Sequence, residues 1–422
     1  MGYCKFYKQK RQIYLNGIWI DTGETRKGDF YENDSIDCGY IPPPMYRWVV
    51  VPGAYECSGT TKMTQEKKQV SNDSGSTWED VVPLETRAGS VIETQSTDCG
   101  WEPPYKCKLE WINGSIETIP CDSSSHYKAP DTRYYRSNIV SAKVGSCVTH
   151  LSDCCAFCNY WILSSVTLSD SVTYIGESAF DGCTSLTGIT IPNSVTNIRN
   201  DAFNGCTSLT SIDIPDSVLY IDRWAFAGCS SASACTIGSG LTGIAEGVFT
   251  GCGFKTVSMP NTITYIGINA FRNCSGLTSI DIPDSVTNIM ESAFTNCYSL
   301  SSVTIGSGIT NIDNYAFYYC SSLQSIVIPD SVTRIGICTF YDCNSLTSVT
   351  IPDSVTTIGS SAFYNCSALT SVTLLSTTPP SYGLYPFYGT NDTFIYYVPA
   401  ESVDVYKEAW PDYASRIQAI PT

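Results

Sequence analysis

The chain has 422 residues, of which 43% are apolar and only 15% are charged, which is enough for a folded core and excludes a disordered chain. Its net charge of −16 is uneven, because residues 144–422 carry 21 Asp and Glu against 7 Lys and Arg. Such an acidic surface repels phosphate, so neither nucleic acid nor an anionic membrane is expected as a partner.

Other features narrow the class of protein. No apolar run approaches the ~20 residues of a membrane span, so membrane insertion is not expected. The start of the chain has no apolar segment of the secretory type, so either a leader was removed or export follows another route. With His126 and His150 as the only histidines, and no phosphate-binding loop or hydrolase motif, we predict a protein without enzymatic activity or cofactors.

The first third of the chain contains a weak repeat with an offset of 61 residues. Asp-Cys-Gly-Tyr at residues 37–40 returns as Asp-Cys-Gly-Trp at residues 98–101, and prolines follow both copies. Short β-forming runs lie between Gly, Asn and Asp, and residues 72–78 have the composition of a hairpin loop. This pattern predicts small tandem all-β modules.

Three segments are expected in this part of the chain. Two small β modules are predicted at residues 1–42 and 43–103, and a truncated β module or linker at residues 104–142. Tandem modules of this kind commonly act as spacers. We therefore expect residues 1–142 to support homo-oligomer formation or attachment to a larger particle such as a virion.

The segment that follows has a cysteine and histidine pattern with two interpretations. Cys147, His150, Cys154 and Cys158 have the short spacing of zinc ligands, which predicts a structural zinc site. Alternatively, Cys155 and Cys158 flank the aromatic residue of a first, degenerate repeat unit and are buried there or form a disulfide. We favour the second interpretation, because the repeat described next already accounts for these residues.

The phrase Phe-x-x-Cys then recurs nine times, at steps of 23 residues with one step of 22. A fixed period in this range indicates a solenoid, in which each unit buries its apolar side only by stacking on its neighbours. We predict a mostly β leucine-rich-repeat solenoid with a parallel sheet and short helical turns, made of about ten 23-residue units at residues 143–375. A C-terminal cap is expected at residues 376–422.

The repeated residues are expected to form two internal columns, a structural ladder of Phe180, Cys183, Phe203, Cys206, Phe226, Cys229, Phe249, Cys252, Phe271, Cys274, Phe294, Cys297, Phe317, Cys320, Phe340, Cys343, Phe363 and Cys366. Equivalent residues of stacked units lie about one strand spacing apart, ~4.8 Å, and disulfides along such a column would need paired units and distorted geometry. These cysteines are therefore predicted to be buried thiols that act as small apolar residues with a weak S–H donor.

Residues 282–304 illustrate the predicted coil. Alternating apolar and small polar residues at 300–305 predict a half-buried strand, which a proline ends. Asp284 and Ser285 are expected to form a turn in which the carboxylate accepts from backbone amides two residues on. Residues 291–294 fit a short helical turn. One long parallel sheet is expected along one face of the array.

These units resemble the BspA-like, or treponemal-type, leucine-rich-repeat surface proteins of gut Bacteroidota. Residues 328–348 carry the clearest match, with Ile-Pro-Asp-Ser-Val-Thr-Arg-Ile-Gly followed by Phe-x-x-Cys-x-Ser-Leu-Thr-Ser, and the resemblance extends over about residues 144–422. It implies a surface-exposed interaction protein that adheres to host proteins, other cells or glycans. It carries over no catalytic residues.

Tyrosines on the turns after the phenylalanine column and at the C-terminal cap are the candidate ligand-binding residues. They are Tyr315, Tyr318, Tyr319, Tyr341, Tyr364, Tyr385 and Tyr388. Tyrosine supplies a large contact area at a small entropic cost, and its ring face can stack on sugars. The alternative interpretation is that these side chains only pack the cap.

Two other sets of residues are weaker candidates. One is an interrupted column of turn acids, Asp170, Asp216, Asp284, Asp330 and Asp353. Calcium needs six to eight converging oxygens, so we interpret these acids as turn caps. The other is the flat polar face of the strands, with Ser211, Asp213, Ser279, Asp281, Ser302, Thr304, Ser348 and Thr350. It lacks the Trp, Tyr and Arg that dominate binding hot spots.

We predict a non-enzymatic binding or adhesion protein that presents its repeat surface to a host protein, cell-surface or glycan ligand. It would be extracellular or at the cell surface if a leader was removed. The alternative is a virion component, a tail fibre or receptor-binding protein of a Bacteroidota phage, which leaves the cell by lysis and needs no signal. Free thiols would suit folding in a reducing cytoplasm. An enzyme with a site in residues 1–142 is disfavoured, because titratable groups form no plausible cluster there.

Overall fold

The computed structural model describes residues 7–15, 18–28, 45–58, 61–71, 79–80, 86–93, 105–121, 124–129, 133–153, 155–391 and 393–421. The chain divides into two compact units, Met1–Pro103 and Pro104–Thr422. Among the described residues, no helix has the length and apolar character needed to cross a bilayer.

The first unit is made of antiparallel β-structure, as the sequence predicts. Its strands are β1 (Tyr7–Leu15), β2 (Ile18–Gly28), β3 (Met45–Ser58), β4 (Thr61–Ser71), β5 (Glu79–Asp80) and β6 (Thr86–Glu93). Strand β1 pairs with β2, and β4 pairs with β3, β5 and β6. The predicted loop at 72–78 and the cysteine motifs at 37–40 and 98–101 lie outside the described residues.

The second unit is a parallel β-solenoid of about 12 turns. Its strands, in chain order, are β7 (Tyr105–Trp111), β8 (Ile116–Pro120), β9 (His126–Tyr127), β10 (Ile139–Val144), β11 (His150–Leu151), β12 (Ser165–Thr167), β13 (Tyr174–Ile175), β14 (Gly188–Ile189), β15 (Asn197–Ile198), β16 (Ser211–Asp213), β17 (Tyr220–Ile221), β18 (Ala234–Thr236), β19 (Thr256–Ser258), β20 (Tyr265–Ile266), β21 (Ser279–Ile282), β22 (Asn288–Ile289), β23 (Ser302–Ile305), β24 (Asn311–Ile312), β25 (Ser325–Val327), β26 (Arg334–Ile335), β27 (Ser348–Ile351), β28 (Thr357–Ile358), β29 (Ser371–Leu374), β30 (Ser381–Tyr382), β31 (Ile395–Val398) and β32 (Ile417–Ala419). The helices are α1 (Arg133–Arg136) and α2 (Val403–Ala409), with 3₁₀ turns at Ala400–Ser402 and Pro411–Arg416.

Each regular coil contributes strands to two sides of the solenoid, where the sequence predicted one sheet. The first sheet side holds the Ser-Val-Thr-type strands, such as β21-β23-β25-β27-β29. The second sheet side holds two-residue strands, such as β20-β22-β24-β26-β28-β30. The second series forms because residues 23 apart lie in register, so that even a two-residue run such as Asn288–Ile289 pairs with Asn311–Ile312.

The third side, here called the turn side, carries the phenylalanines on consecutive turns instead of the predicted short helices. Each of the 11 phenylalanines at the repeat position, from Phe157 to Phe387, has a residue with positive φ two places before it and another two places after it. Ser178 (φ 53°) and Gly182 (φ 70°) are one such pair, around Phe180. Two left-handed residues per coil exclude a helix, because a right-handed helix needs negative φ throughout.

Backbone hydrogen bonds join neighbouring coils on the turn side in the opposite direction to the second sheet side. The amide of Phe180 donates to the carbonyl of Ala202 in the following coil, at 2.7 Å. On the second sheet side, the amide of Thr196 donates to the carbonyl of Thr173 in the preceding coil, at 2.9 Å. The alternating left-handed residues produce this reversal, since they turn successive peptide groups around. Each coil is therefore held on several sides.

The interior of the solenoid is a stack of phenylalanine rings beside a column of thiols. Ring centroids from Phe157 to Phe387 lie 5.0–6.0 Å apart in successive coils. All nine repeated cysteines are buried and free. Each thiol donates to the carbonyl oxygen of the phenylalanine one coil earlier, at 3.1–3.4 Å, as Cys297 does to Phe271. The thiols therefore satisfy carbonyls of the turn side.

One irregular coil interrupts both sheet sides. The 22-residue step from Phe249 to Phe271 shortens this coil, and strand pairing breaks between β19 and β21 and between β17 and β20. Ring planes at Phe249 are tilted by 18° and 22° against their neighbours, compared with 1° between Phe271 and Phe294. Here the ring of Tyr265 covers Gly243, where a Cβ atom would lie 2.0 Å from the ring. A side chain at position 243 would therefore have to displace this ring.

Residues 104–142 share the sheets of the solenoid, in contrast to the predicted truncated module or linker. Strand β10 pairs in parallel with β12 and antiparallel with β7, and β9 pairs in parallel with β11. Disulfides Cys121–Cys147 and Cys155–Cys158 also lie in this N-terminal part. The segment covers the first coil because it continues the first sheet side with β10, β7 and β8 and the second sheet side with β9.

The C-terminal end of the core is covered by aromatic side chains around α2. Trp410 is buried and contacts the rings of Tyr396 and Tyr406 at centroid distances of 5.5 Å each. Its indole donates to the carbonyl of Pro380 at 3.3 Å, and Tyr406 donates to the carbonyl of Ser376 at 2.9 Å. These bonds fix the cap to the last coil.

Replacing Phe294 with Ala should destabilise the solenoid by about 3–5 kcal/mol, because the ring stacks on both neighbours and its loss leaves a cavity. Urea unfolding followed by circular dichroism measures the change. The control Ser302→Ala, on the exposed first sheet side, should change stability by less than ~0.5 kcal/mol. Equal effects of both substitutions would contradict the ring column.

The nine ladder thiols should resist alkylation until the protein unfolds. Burial raises the pKa of Cys183 and Cys274 to about 12, so the reactive thiolate is scarce at pH 8. Cys338 is free and half-buried and should react with iodoacetamide before the ladder cysteines do. Peptide mass spectrometry with and without denaturant measures the labelling. Labelling of ladder cysteines at the rate of Cys338 in the folded protein would show that the column is open.

Candidate functional site

Four tyrosines lie in an outward column on the turn side, because each directly follows a phenylalanine that points inward. They are Tyr318, Tyr341, Tyr364 and Tyr388. The ring centroids of Tyr341 and Tyr364 lie 4.7 Å apart with planes 3° apart, and those of Tyr364 and Tyr388 lie 5.2 Å apart at 23°. Tyr318 contacts Tyr341 at 5.0 Å. The outer rings thus repeat the spacing of the inner rings.

The other three predicted tyrosines flank this column at its ends. Tyr315 and Tyr319 meet Tyr318 edge to face, at 5.6 and 4.5 Å, and Tyr385 meets Tyr388 at 6.0 Å. All seven predicted residues therefore form one continuous cluster, here called the tyrosine stripe. It is most accessible at the C-terminal end, where Tyr385 is 64% and Tyr388 60% exposed.

The tyrosine stripe belongs to the C-terminal coils only. The residue after the phenylalanine in the seven earlier coils is never aromatic: it is Cys158, Asp181, Asn204, Ala227, Thr250, Arg272 or Thr295. The fold therefore does not need an aromatic residue at this position.

Three tyrosines of the stripe occupy left-handed backbone positions. Tyr315, Tyr319 and Tyr385 have φ of 59°, 59° and 54°. Equivalent positions in other coils are mostly Gly, Asn, Ser or Asp, including Gly182 and Asn296. A Cβ-bearing residue costs roughly 1 kcal/mol in this conformation, and glycine costs least. The backbone conformation therefore does not explain why tyrosine occupies these three positions. Backbone strain of this kind concentrates at functional sites.

Two tyrosines of the stripe, Tyr318 and Tyr341, have a raised pKa. Burial, and then the neighbouring Tyr319, raise the pKa of Tyr318 to about 12. Burial, followed by the nearby Asp342 carboxylate, also raises the pKa of Tyr341. These hydroxyl groups therefore stay protonated and can both donate and accept hydrogen bonds.

Two of the five turn acids, Asp216 and Asp284, contact the next coil instead of amides two residues on. Asp284 accepts from the amide and hydroxyl of Ser307 at 2.7 and 3.0 Å, and Asp216 does the same with Ser239. These contacts lower the pKa of both carboxyl groups, the backbone amide first. The coils approach closely because Gly308 follows Ser307, where a Cβ atom would lie 2.0 Å from the carbonyl oxygen of Asp284. The acids therefore join coils.

The polar face of the strands is outward on the first sheet side, as the alternation predicts. In β21, Ser279 and Asp281 face outward while Ile280 and Ile282 are buried. Asp213 accepts hydrogen bonds from Ser211 and, in the next coil, from Thr236 at 3.1 Å. The Asp213 carboxylate on this face therefore has hydrogen-bond partners within the face itself.

The predicted zinc ligands do not come together as a site. Cys147 is bonded to Cys121, and Cys158 to Cys155, so neither offers a free thiolate. Cys154 lies outside the described residues. His150 stacks on His126 at 4.7 Å, and burial followed by that neighbour lowers the pKa of His150. Over the described parts of the chain, no three His, Cys, Asp or Glu side chains are grouped to hold a metal.

Comparison with protein families identifies the repeat. The model of the BspA type leucine rich repeat region, in six copies, matches residues 149–278 and 264–392, which together cover more than half of the chain. The chain belongs to the BspA-type leucine-rich-repeat family. The resemblance read from the sequence is thereby confirmed.

Several solved structures are similar to this BspA-type chain. A leucine-rich repeat protein from Bacteroides ovatus is 21% identical, with 74% of this chain and 98% of that chain covered and a TM-score of 0.48. A leucine rich cell surface protein from Faecalibacterium prausnitzii is 28% identical, with 67% and 91% covered and a TM-score of 0.39. The T. pallidum leucine rich repeat protein is 24% identical, with 52% and 90% covered and a TM-score of 0.32. No curated protein matches.

The left-handed backbone of the BspA-type coil can be tested at Tyr319. We expect Tyr319→Gly to be more stable than Tyr319→Ala by about 1 kcal/mol, because only glycine relieves the positive φ. Tyr364 has no positive φ, so there the Ala variant should be the more stable one. Urea unfolding of the four variants measures both differences. The same order at both positions would contradict the backbone explanation.

Proposed function

We propose that this protein is a non-enzymatic adhesion protein, at the cell surface or outside the cell, that contacts its ligand through the tyrosine stripe. The observation that carries the proposal is the gathering of seven tyrosines on one exposed side, three of them against a backbone preference. Tyrosine-rich surfaces bind well because the rigid ring brings a large area at low entropic cost. Membership of a repeat family of surface proteins supports the same conclusion.

The chemistry of the remaining groups supports a binding role. Catalysis by cysteine needs an accessible thiolate, whereas the ladder thiols are buried and burial raises the pKa of residues such as Cys183. The two histidines stack on each other on the second sheet side, in N-terminal coils. The tyrosine stripe, in contrast, presents hydroxyl groups and ring edges, which can bind a ligand by hydrogen bonds and ring contacts.

The ring orientation favours a protein over a sugar as the ligand. Sugars stack on an open ring face, but Tyr341 and Tyr364 cover each other's faces at 4.7 Å, and Tyr388 covers the other face of Tyr364. The column therefore presents ring edges and hydroxyl groups. Ring edges are electropositive and match carbonyl oxygens and aromatic faces, which protein surfaces supply. The apolar neighbour Leu384, which is 72% exposed, extends the contact area.

Binding to arrays of purified matrix proteins and of glycans tests this function. The double variant Tyr385→Ala with Tyr388→Ala should bind at least ~10-fold more weakly than wild type, since exposed tyrosines of this kind act as hot spots. The control Tyr220→Ala with Tyr298→Ala removes exposed tyrosines outside the stripe and should bind as wild type does.

Different outcomes separate the parts of the proposal. If both double variants bind as wild type does, the stripe is not the contact surface. If the stripe variant loses binding to a glycan, adhesion stands and the preference for protein is wrong. No observation on the described residues favours the virion alternative, and detection of this chain in purified phage particles by mass spectrometry would establish it.

A further inference from the structure

The Cys155–Cys158 disulfide lies on the turn side of the first coil, around the phenylalanine position. The two cysteines enclose Ala156 and Phe157, the first ring of the phenylalanine column, in a Cys-x-x-Cys sequence. Cys155 is half-buried, whereas Cys158 is only 3% exposed. Cys155 is therefore the more accessible of the two residues, and Cys158 is covered by its surroundings.

A cation lies beside the buried sulfur. The guanidinium Nη2 of Arg136, the last residue of α1, is 3.9 Å from Cys158 Sγ. A positive charge at this distance stabilises a thiolate, and a stabilised thiolate is a better leaving group in thiol–disulfide exchange. Cleavage of this disulfide is therefore favoured when Cys158 is the sulfur that leaves.

The coil brings these two positions together even where no disulfide joins them. Cys155 lies two residues before the phenylalanine, where each coil has a positive φ, and Cys158 lies one residue after it. The same two positions are Tyr315 and Tyr318 in a later coil, and there the amide of Tyr318 donates to the carbonyl of Tyr315 at 3.1 Å with no covalent link. The fold therefore brings these two positions close together even in a coil that has no disulfide.

The bond contributes little to stability compared with the second disulfide. It closes a loop with a sequence separation of 3, whereas Cys121–Cys147 closes one of 26. The stabilisation from restricting the unfolded chain grows with loop length. A purely structural role is thus better suited to Cys121–Cys147.

We infer that Cys155–Cys158 is a reversible thiol–disulfide exchange site for small thiols or accessible protein thiols. An external thiolate attacks the Cys155 sulfur, the bond between the two cysteines breaks, and its electron pair leaves on Cys158 beside Arg136. The product is a mixed disulfide on Cys155. A second external thiolate then attacks this mixed disulfide, releasing an external disulfide and leaving the reduced pair, or Cys158 attacks it and restores the starting state.

Differential alkylation in glutathione buffers tests the site on the full chain. After equilibration at pH 7.5 and quenching with N-ethylmaleimide, peptide mass spectrometry reports each cysteine. We expect Cys155 and Cys158 to be half-reduced at roughly 10-fold less reduced glutathione than Cys121 and Cys147. The variant Cys158→Ser should trap glutathione on the remaining cysteine, Cys155.

Variants of Arg136 distinguish an exchange site from a purely structural disulfide. Arg136→Gln should slow opening of Cys155–Cys158 by about 3–10-fold, Arg136→Lys should restore most of the rate, and the opening rate of Cys121–Cys147 should not change. Cys154→Ser controls for the cysteine next to Cys155 in the sequence, and thermal melting confirms that each variant folds.

Three results would overturn the inference. The first is opening of both disulfides at the same glutathione concentration. The second is an Arg136→Gln rate equal to that of wild type in a folded variant. The third is trapping of glutathione on Cys158 in preference to Cys155 when the wild-type mixture is quenched. Any of them would leave the bond as a structural crosslink.

Discussion

The constraint on which this structure depends is the distance between neighbouring coils, fixed by backbone hydrogen bonds on several sides at once. Because each coil donates forward on the turn side and backward on the second sheet side, a coil is held in both directions. The resulting distance of 5.0–6.0 Å between the centroids of neighbouring phenylalanine rings leaves room for one aromatic ring per coil. The interior columns and the outer tyrosine column all follow from this repeat.

The parts of the fold that repeat strictly could be predicted from the sequence. The 23-residue period identifies the inner phenylalanines and cysteines, and the alternation at residues such as Ser302 and Val303 identifies the first sheet side. The two-residue strands of the second sheet side were missed, because a run such as Asn288–Ile289 has no alternation to detect. They exist only through pairing with the next coil.

The left-handed backbone positions have a weak signal in the sequence, namely the residue types that occur there. Two residues after the phenylalanine, Gly182, Gly205, Asn273 and Asn296 are all residue types that accept positive φ. The signal weakens where Tyr319 takes the same position, and these exceptions mark the candidate site. The tyrosine cluster itself could be predicted from register, whereas the orientation of its rings could not. The disulfide partner of Cys121 was also beyond the sequence, because spacing does not give connectivity.

The tyrosine stripe and the exchange site lie toward opposite ends of the same scaffold and use the same two coil positions. At the N-terminal end these positions hold Cys155 and Cys158, and toward the C-terminal end they hold Tyr315 and Tyr318. Both pairs of positions flank an inward phenylalanine, so two side chains can change there while the ring column is kept. One repeat can in this way carry different candidate sites.

The shortened coil between Phe249 and Phe271 has a consequence for how the array assembles. Neighbouring regular coils are so alike that any of them would fit against several others, and a chain of such units risks closing with one unit skipped. The shortened coil differs from them, because its 22-residue step occurs once among the nine Phe-x-x-Cys units and the ring of Tyr265 lies against Gly243. We expect this difference to favour pairing with its own neighbours and so to keep the units on both sides in order.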